Sequence, residues 1–533
     1  MGAKEHDYVI VGAGAAGCVL AARLSEDASV LLLEAGGAGA GYLFRWPAGF
    51  ARMTKGVASW GWSTVPQRHM GGRRLWYTQA KVRGGGSAIN AQIYTRGHPL
   101  DYDGWRDDAG CEGWGWRDVL PYFKRSEGNE RWADEHHGAE GPLGISTPRS
   151  ALPIADAFIR AAQQYGLPYN PDFNGARQEG VGQYQLSIRD GRRSAVSFCY
   201  LDPLKERKSL EVELEAEVGR VVLEQGRAVG VEAGGRLRRA RREVIVAAGA
   251  IGSPRLLQLS GIGSAAHLEK AGVKVACDLP AVGENLQDHV NLCALCECSG
   301  DHSYDSVLRP HRLLAAGIQY LLFGTGPVMS PLFETGGFWY SDRQARSPEI
   351  QFHFGQGSGI EKGIAKLDNP GVTLNSAYLR PRSRGTVRLA SANPAEPPLI
   401  DPNYWAEPAD LEDSLRGLAM AREIMAQPAL QPFIKREVLP GPEVGGKDRD
   451  KLFDYACRMG KTDHHPVGTC RMGGGEDSAV DPQLRLRGVE ALRVCDSSVM
   501  PAVVSSNTNA ATIMVAERGA DLIAGRTPLP PAA

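Results

Sequence analysis

The chain has 533 residues, too many for one small core, so two or more structural domains are expected. Its 60 Lys and Arg nearly cancel 61 Asp and Glu, leaving a net charge of −1 without the basic surplus of a nucleic-acid binder, so no nucleic-acid partner is expected. At 43% hydrophobic and 23% charged residues it reads as an ordinary globular protein, with no apolar run of transmembrane length.

The start, MGAKEHDYVIVGAG, carries charges and then enters a short apolar strand, with no secretory signal pattern. Ten scattered cysteines show no disulfide framework. Both features point to a reducing, cytoplasmic setting and leave peripheral attachment to a membrane open.

Residues 7–36 read DYVIVGAGAAGCVLAARLSEDASVLLLEAG. Tyr8–Val11 is expected as a buried strand, Ala15 to Ser25 as a helix and Val30–Leu33 as a second strand ending on Glu34. Between strand and helix, Gly12, Gly14 and Gly17 stand at GxGxxG spacing. Gly12 suits a tight turn, Gly14 lets a pyrophosphate approach the backbone, and Gly17 lets helix and strand pack closely. The helix N-terminus offers free N–H groups to phosphates, and Glu34 is placed to accept from ribose hydroxyls. NAD and FAD sites share this motif.

Further along, AKVRGGGSAIN (80–90) is a glycine cluster entering an apolar segment. The pair His136–His137 lies in the polar stretch WADEHHGAEG and is expected on a solvated loop. The buried strand Val244–Ala247 leads into GAIGSPRLLQLSGIG (249–263). CALCEC (293–298) imitates a thiol metal site, but lacking a second ligand pair it reads as a strand. Glu334, an acid among apolar and aromatic residues, and His353, in the alternating strand pattern EIQFHFGQG, are pocket candidates whose bland alternatives are a salt bridge and a core histidine. Leu411, Leu415, Leu418 and Met425 follow helical spacing. Near the C-terminus come DHHPVGTCRMG (463–473) and SSNTN, then a helix over about 510–523 whose N-terminus would face a bound anion. Cys470 and Cys495 in this region read as small packing residues.

In their order and distances, these glycine clusters and the two C-terminal stretches resemble the glucose–methanol–choline (GMC) family of flavin oxidoreductases, from residue 7 to about 525. The resemblance implies an α/β fold: a doubly wound, Rossmann-like FAD-binding domain plus a substrate domain with a largely antiparallel sheet flanked by helices. It implies a discontinuous FAD-binding domain at 1–149, 195–295 and 459–533, with the substrate domain at 150–194 and 296–458. FAD contacts are implied at Gly12, Gly14, Ala15, Ala16, Gly17, Glu34, Ala35, Arg83, Gly84, Gly85, Ser87, Asn90, Ala91, Val218, Asp496 and Thr508. Arg83 departs from the apolar residue usual at its position. Ile89 stands where some relatives carry a flavin-tethering histidine, so the FAD is expected to be non-covalent.

The resemblance also places His465 at the flavin's reactive edge, with Asn507 beside it. An imidazole suits a general base near neutral pH, and an amide N–H suits a developing alkoxide. The expected reaction is oxidation of a small-molecule alcohol, with oxygen or a quinone-like carrier as electron acceptor. A lyase on the same fold is the alternative. His464 is expected to line the substrate pocket, on the opposite side of an extended segment from His465. No metal is expected, since no further ligands lie nearby in sequence.

Overall fold

The computed structural model describes residues 5–53, 56–342, 344–358, 367–445 and 448–533. Val9, Ile10 and the run Val30–Leu33 are apolar and buried on both faces, as parallel strands covered on both sides must be. His6–Val11 lies between Val30–Leu33 and Arg236–Val246, parallel to both. Leu210–Glu213 extends this sheet on one side and Leu492–Val494 on the other, again in parallel. Arg236–Val246 is longer than the expected strand. Its polar first half, RLRRARR, pairs antiparallel with Arg227–Ala233, which in turn pairs with Val218–Glu224. Hydrophobicity reveals only the buried end of such a strand.

Helix Ala15–Leu24 follows the first strand and packs on the last helix, Thr508–Ala524, so the two ends of the chain share one core. Thr508–Ala524 is buried along nearly its whole length.

A second sheet is antiparallel throughout. Its order is Ile434–Leu439, Val290–Cys298, Gly371–Tyr378, Ile350–Gly355, Thr335–Trp339 and Gly180–Gln183. The short strand Lys461–Thr462 joins its edge beside Val290 and Asn291. Helix Pro408–Met425 packs on this sheet through Leu415, Leu418 and Met425. Cys293, Cys296 and Cys298 are buried strand residues outside any disulfide, and Cys470 and Cys495 are likewise buried and outside any disulfide.

His137 corrects one expectation. It is buried, with Nδ1 3.0 Å from Glu127 Oε1 and Nε2 2.9 Å from Asp172 Oδ2. Arg96, wholly buried, is ion-paired to the other Glu127 oxygen. Burial disfavours the charged imidazole, but the two carboxylates outweigh it and lift its pKa from 6.5 to about 9. A polar local sequence hid this, because the partners lie 10 and 35 residues away.

The raised pKa belongs to the folded state, so this stabilisation is complete below pH 6.5 and fades as pH rises through about 9. His137→Gln is expected to lower unfolding free energy by about 3 kcal/mol at pH 6. The deficit should shrink at pH 9.5, as measured by denaturant titration at both pH values.

Candidate active site

One cavity of about 1860 Å³ reaches from the glycine turn after the first strand to the edge of the antiparallel sheet. That is more room than a single small ligand needs. Gly12, Gly14, Ala15, Ala16, Glu34, Ala35, Gly85, Asn90, Ala91, Val218, Asp496 and Thr508 line it. Arg83, Gly84, Ser87 and Gly17 are not among its lining residues and act beneath it.

The glycines divide the labour. Gly12 has φ +100°, and a Cβ there would stand 2.6 Å from Ala247 O. A Cβ at Gly17 would reach 1.8 Å from Gly12 O, so Gly17 sets the helix–strand approach. At Gly14 the nearest protein atom would be 3.9 Å away, so the close approach it permits is toward the cavity. The second glycine cluster sits directly on the first: Gly84 N donates to Ala13 O at 2.7 Å, and a Cβ at Gly85 would stand 2.7 Å from Gly14 Cα. Ser87 Oγ donates to Gly84 O at 2.6 Å, and Arg83 pairs with Asp202 at 3.0 Å. These two hold the cluster's shape.

Glu34 accepts from Ala13 N and Gly36 N, each at 2.8 Å, through different carboxylate oxygens. Each oxygen keeps a second acceptor direction, the pair a ribose diol requires. Asp496 accepts from Gly249 N at 2.8 Å and Ser498 N at 2.8 Å, tying two cavity-lining segments together. Phosphate access at Gly14, the carboxylate at Glu34 and the cavity size together fit a dinucleotide such as FAD. Ile89 offers no nucleophile for a covalent tether.

His465 and Asn507 meet at the far end of the cavity, with Asn507 Nδ2 3.1 Å from His465 Nε2. Asn507 is the N-cap of Thr508–Ala524, yet its side chain does not cap that helix; it turns to His465 instead. The other His465 nitrogen, Nδ1, lies 3.0 Å from Nδ1 of His289, whose ring is nearly perpendicular at 83°. His289 Nε2 is 3.1 Å from Leu379 O.

The protons along this run are determined. Leu379 O only accepts, so His289 carries its proton on Nε2 and accepts at Nδ1. His465 therefore donates from Nδ1 and has its lone pair on Nε2. The other end gives the same answer independently. Tyr184 OH donates to Phe352 O at 2.6 Å, so its oxygen accepts from Gln351 Nε2 at 3.3 Å. Gln351 Nε2 also donates to Asn507 Oδ1 at 3.0 Å, which turns the Asn507 N–H toward His465 Nε2. Burial, aided by His465, pushes the His289 pKa from 6.5 down to about 3, so this ring stays neutral.

The segment before His465 is bent. His464 has φ +62°, a left-handed conformation uncommon for a residue with a side chain. It is held by His464 N donating to Thr462 Oγ1 at 2.9 Å and His465 N donating to Asp288 Oδ1 at 2.8 Å. Asp288 Oδ2 also accepts from Tyr77 OH at 2.8 Å, Thr462 Oγ1 at 2.5 Å and Tyr404 OH. The bend puts His464 and His465 on the same cavity, not on opposite sides as an extended chain would. His464 is exposed toward that cavity, and the protein around it lowers its pKa despite nearby Asp288 and Asp463.

His353 also lines the cavity; burial holds its imidazole below the usual range, and its Nε2 has no partner among the described residues. Asn291 Oδ1 and Asn375 Oδ1, of residues likewise lining the cavity, also have no partner among the described residues. Asp463, half-buried but flanked by His353 and His465, is held well below the carboxylate range. Glu334 is not in the cavity wall. It is fully buried and accepts from Ser150 Oγ at 2.7 Å, Tyr304 OH at 3.3 Å and Gln356 Nε2, without a cationic partner among the described residues.

Ligands that sequence spacing separates do come together: atoms of His289, Asp463 and His465 lie within 4.8 Å of one another. An ion on both Nδ1 atoms would leave His465 with a proton on Nε2, donor against the Asn507 donor. The hydrogen-bonded arrangement has no such conflict. His289 and Asp288 were missed in sequence; their only signal is an Asp-His pair opening an apolar strand in GENLQDHV.

Two profiles described as GMC oxidoreductase match residues 6–291 and 381–516. The chain is 42% identical to the mitochondrial choline dehydrogenase of Homo sapiens, covering 98% of this chain and 91% of that protein. It is 39% identical to an alcohol dehydrogenase [acceptor] of Pseudomonas putida, over 97% of this chain and 95% of that one. Among solved structures, pyridoxine 4-oxidase from Mesorbium loti superposes with a TM-score of 0.89 at 32% identity, covering 98% and 99% of the two chains.

Gly14→Val should leave the fold intact, with a melting temperature near that of the unsubstituted apoprotein, and weaken FAD binding at least about tenfold by fluorescence titration. Gly17→Val should instead unfold the protein or lower its melting temperature sharply, since its side chain meets backbone.

Proposed function

The chain belongs to the GMC oxidoreductase family and is an FAD-dependent oxidoreductase acting on a CH–OH donor; on that premise we propose which residues run the reaction and what class of alcohol it takes. FAD, when bound, supplies the hydride acceptor. His465 Nε2 is the base for the hydroxyl proton, and the Asn507 N–H steadies the oxygen as it becomes alkoxide-like. A hydroxyl that displaces the direct Asn507–His465 hydrogen bond can donate to Nε2 while accepting from Nδ2. The observation that carries this reading is the fixed proton order from Leu379 O to Phe352 O, which leaves a lone pair on the His465 nitrogen beside Asn507.

His289 acts through His465 as a positioning residue: it accepts the Nδ1 proton and so keeps the base in one tautomer. The cavity-facing N-terminus of Thr508–Ala524, with Thr508, Asn509 and Thr512 in the cavity wall, favours negative charge on a bound partner. We assign 1–149, 195–295 and 459–533 to FAD binding, and 150–194 and 296–458 to the substrate side. The seam runs through strand Val290–Cys298.

The substrate we propose is a small alcohol carrying a second polar group. The unpartnered atoms of His353, Asn291 and Asn375 would meet that group, while Trp60, stacked 4.9 Å from Trp62, and Phe333 cover its carbons. Relatives are named both alcohol dehydrogenase and oxygen-dependent choline dehydrogenase, so oxygen and a quinone-like carrier both stand as readings of the acceptor. No described helix is long and apolar enough to cross a membrane.

Anaerobic absorbance spectroscopy tests these roles. A diol or amino alcohol should bleach the flavin bands at least about tenfold more efficiently than an alkanol of equal length. His465→Ala should retain FAD and lose bleaching, whereas an unsubstituted holoenzyme that no alcohol bleaches would overturn the assignment. His289→Leu should slow bleaching on the order of 10²-fold with FAD content unchanged, by analogy with other tautomer-setting partners. His289→Gln, whose amide oxygen can accept the same proton, should recover part of that loss.

A further inference from the structure

Helix Pro310–Phe323, PHRLLAAGIQYLLF, buries only Ala316 and Tyr320. Its apolar side chains face outward: Leu313 is 47% exposed, Ile318 48%, and Leu314, Leu321, Leu322 and Phe323 between 67% and 72%. At about 100° per residue, Leu313, Leu321, Leu314, Ile318 and Leu322 fan over roughly 180° of the helix. Packing against another helix buries a stripe of about 100°, so this arc is wider than one helix partner covers. Exposed apolar surface this concentrated marks an interaction face.

The inner side of the same helix borders the catalytic cavity. Leu313, Ala316 and Gly317 line it together with Leu308 and Tyr42, which are 58% and 57% exposed. Tyr42 packs on Trp46 and Trp46 on Tyr320, at ring distances of 4.9 and 5.4 Å. The patch therefore borders an open side of the cavity. Around it stand Arg45, Arg52, Arg192, Arg309 and Arg312 against Asp190, Asp202, Asp301 and Asp305, with Arg45 paired to Asp202 and both Arg309 and Arg312 to Asp301.

We propose that helix Pro310–Phe323 docks on an anionic lipid bilayer, lying in the interface with the cavity opening turned to the membrane. A helix of 14 residues is about 21 Å long, too short to span, and an apolar arc flanked by arginines is the pattern of one that lies on the surface. A protein partner over this face would plug the cavity, while a fluid bilayer leaves it open to lipid-soluble alcohols and carriers. That last point rests on reading the cavity as the redox site; the docking itself does not.

The test is sedimentation of the holoenzyme with vesicles of phosphatidylcholine containing one-third phosphatidylglycerol, beside phosphatidylcholine alone. The probe variant is Leu314→Gln/Leu321→Gln/Leu322→Gln, three exposed residues outside the cavity wall, with flavin absorbance and melting temperature checking its fold. Expected are binding of the unsubstituted enzyme, stronger to the anionic vesicles, and a partition coefficient at least tenfold lower for the variant, whose bleaching by a water-soluble alcohol is unchanged. An enzyme that binds neither vesicle, or a variant that binds as well as the parent, would overturn the proposal. So would a parent that stays dimeric with its vesicle binding absent and becomes monomeric on substitution, since a second copy would then own the face. Loss of bleaching with vesicle binding intact would instead count against the reading of the redox site.

Discussion

Two backbone carbonyls, Phe352 O and Leu379 O, can only accept hydrogen bonds, and this fact fixes the chemistry between them. Every group from Tyr184 and Gln351 through Asn507, His465 and His289 must then orient its proton in one way. The carbonyls belong to neighbouring strands of the antiparallel sheet, or to the residue just past one: Phe352 lies in Ile350–Gly355, and Leu379 follows Gly371–Tyr378. Sheet register thus becomes a protonation state. Asp463 Oδ2, 3.6 Å from the same His465 Nδ1, favours the same tautomer.

The remaining supports serve that arrangement. Asp288 gathers three hydroxyls and the His465 N–H, and so stabilises the left-handed turn at His464 that a free chain would avoid. Asn507 leaves its own helix uncapped in order to face His465, so the end of Thr508–Ala524 stays open to the cavity. At the other end, two glycine clusters are pressed together so closely that Gly85 tolerates no side chain, Gly12 is closed off by Ala247, and Gly14 stays bare toward the cavity. The sheet with the parallel core supplies the dinucleotide cradle and the antiparallel sheet supplies the base.

Much of this was legible in the sequence because its signals are local. The strand, glycine turn, helix and acid from Tyr8 to Glu34 follow from spacing, and the helix bearing Leu411, Leu415, Leu418 and Met425 follows from periodicity. His465 and Asn507 came from the family resemblance. What stayed hidden depends on long-range contacts. His289 meets His465 across 176 residues, and His137 meets Asp172 across 35, so neither partnership leaves a pattern in its own neighbourhood. His464 was placed in the pocket by a wrong geometric step, since an extended chain would have separated it from His465; Asp288, 177 residues before His465, makes the bend that joins them. Glu334 shows the reverse case: an acid in an apolar stretch looked available, but neutral donors from three segments satisfy it.

The most direct measurement of the central constraint is nitrogen-15 NMR of the histidine rings in the FAD-loaded enzyme at pH 7, with assignments from His289→Leu and His465→Ala. Ring correlations separate the two neutral tautomers. His465 protonated on Nδ1 and His289 protonated on Nε2 is the expected result. A proton on His465 Nε2 in the resting enzyme would contradict it, because the nitrogen beside Asn507 would then have no lone pair with which to take the alcohol's proton.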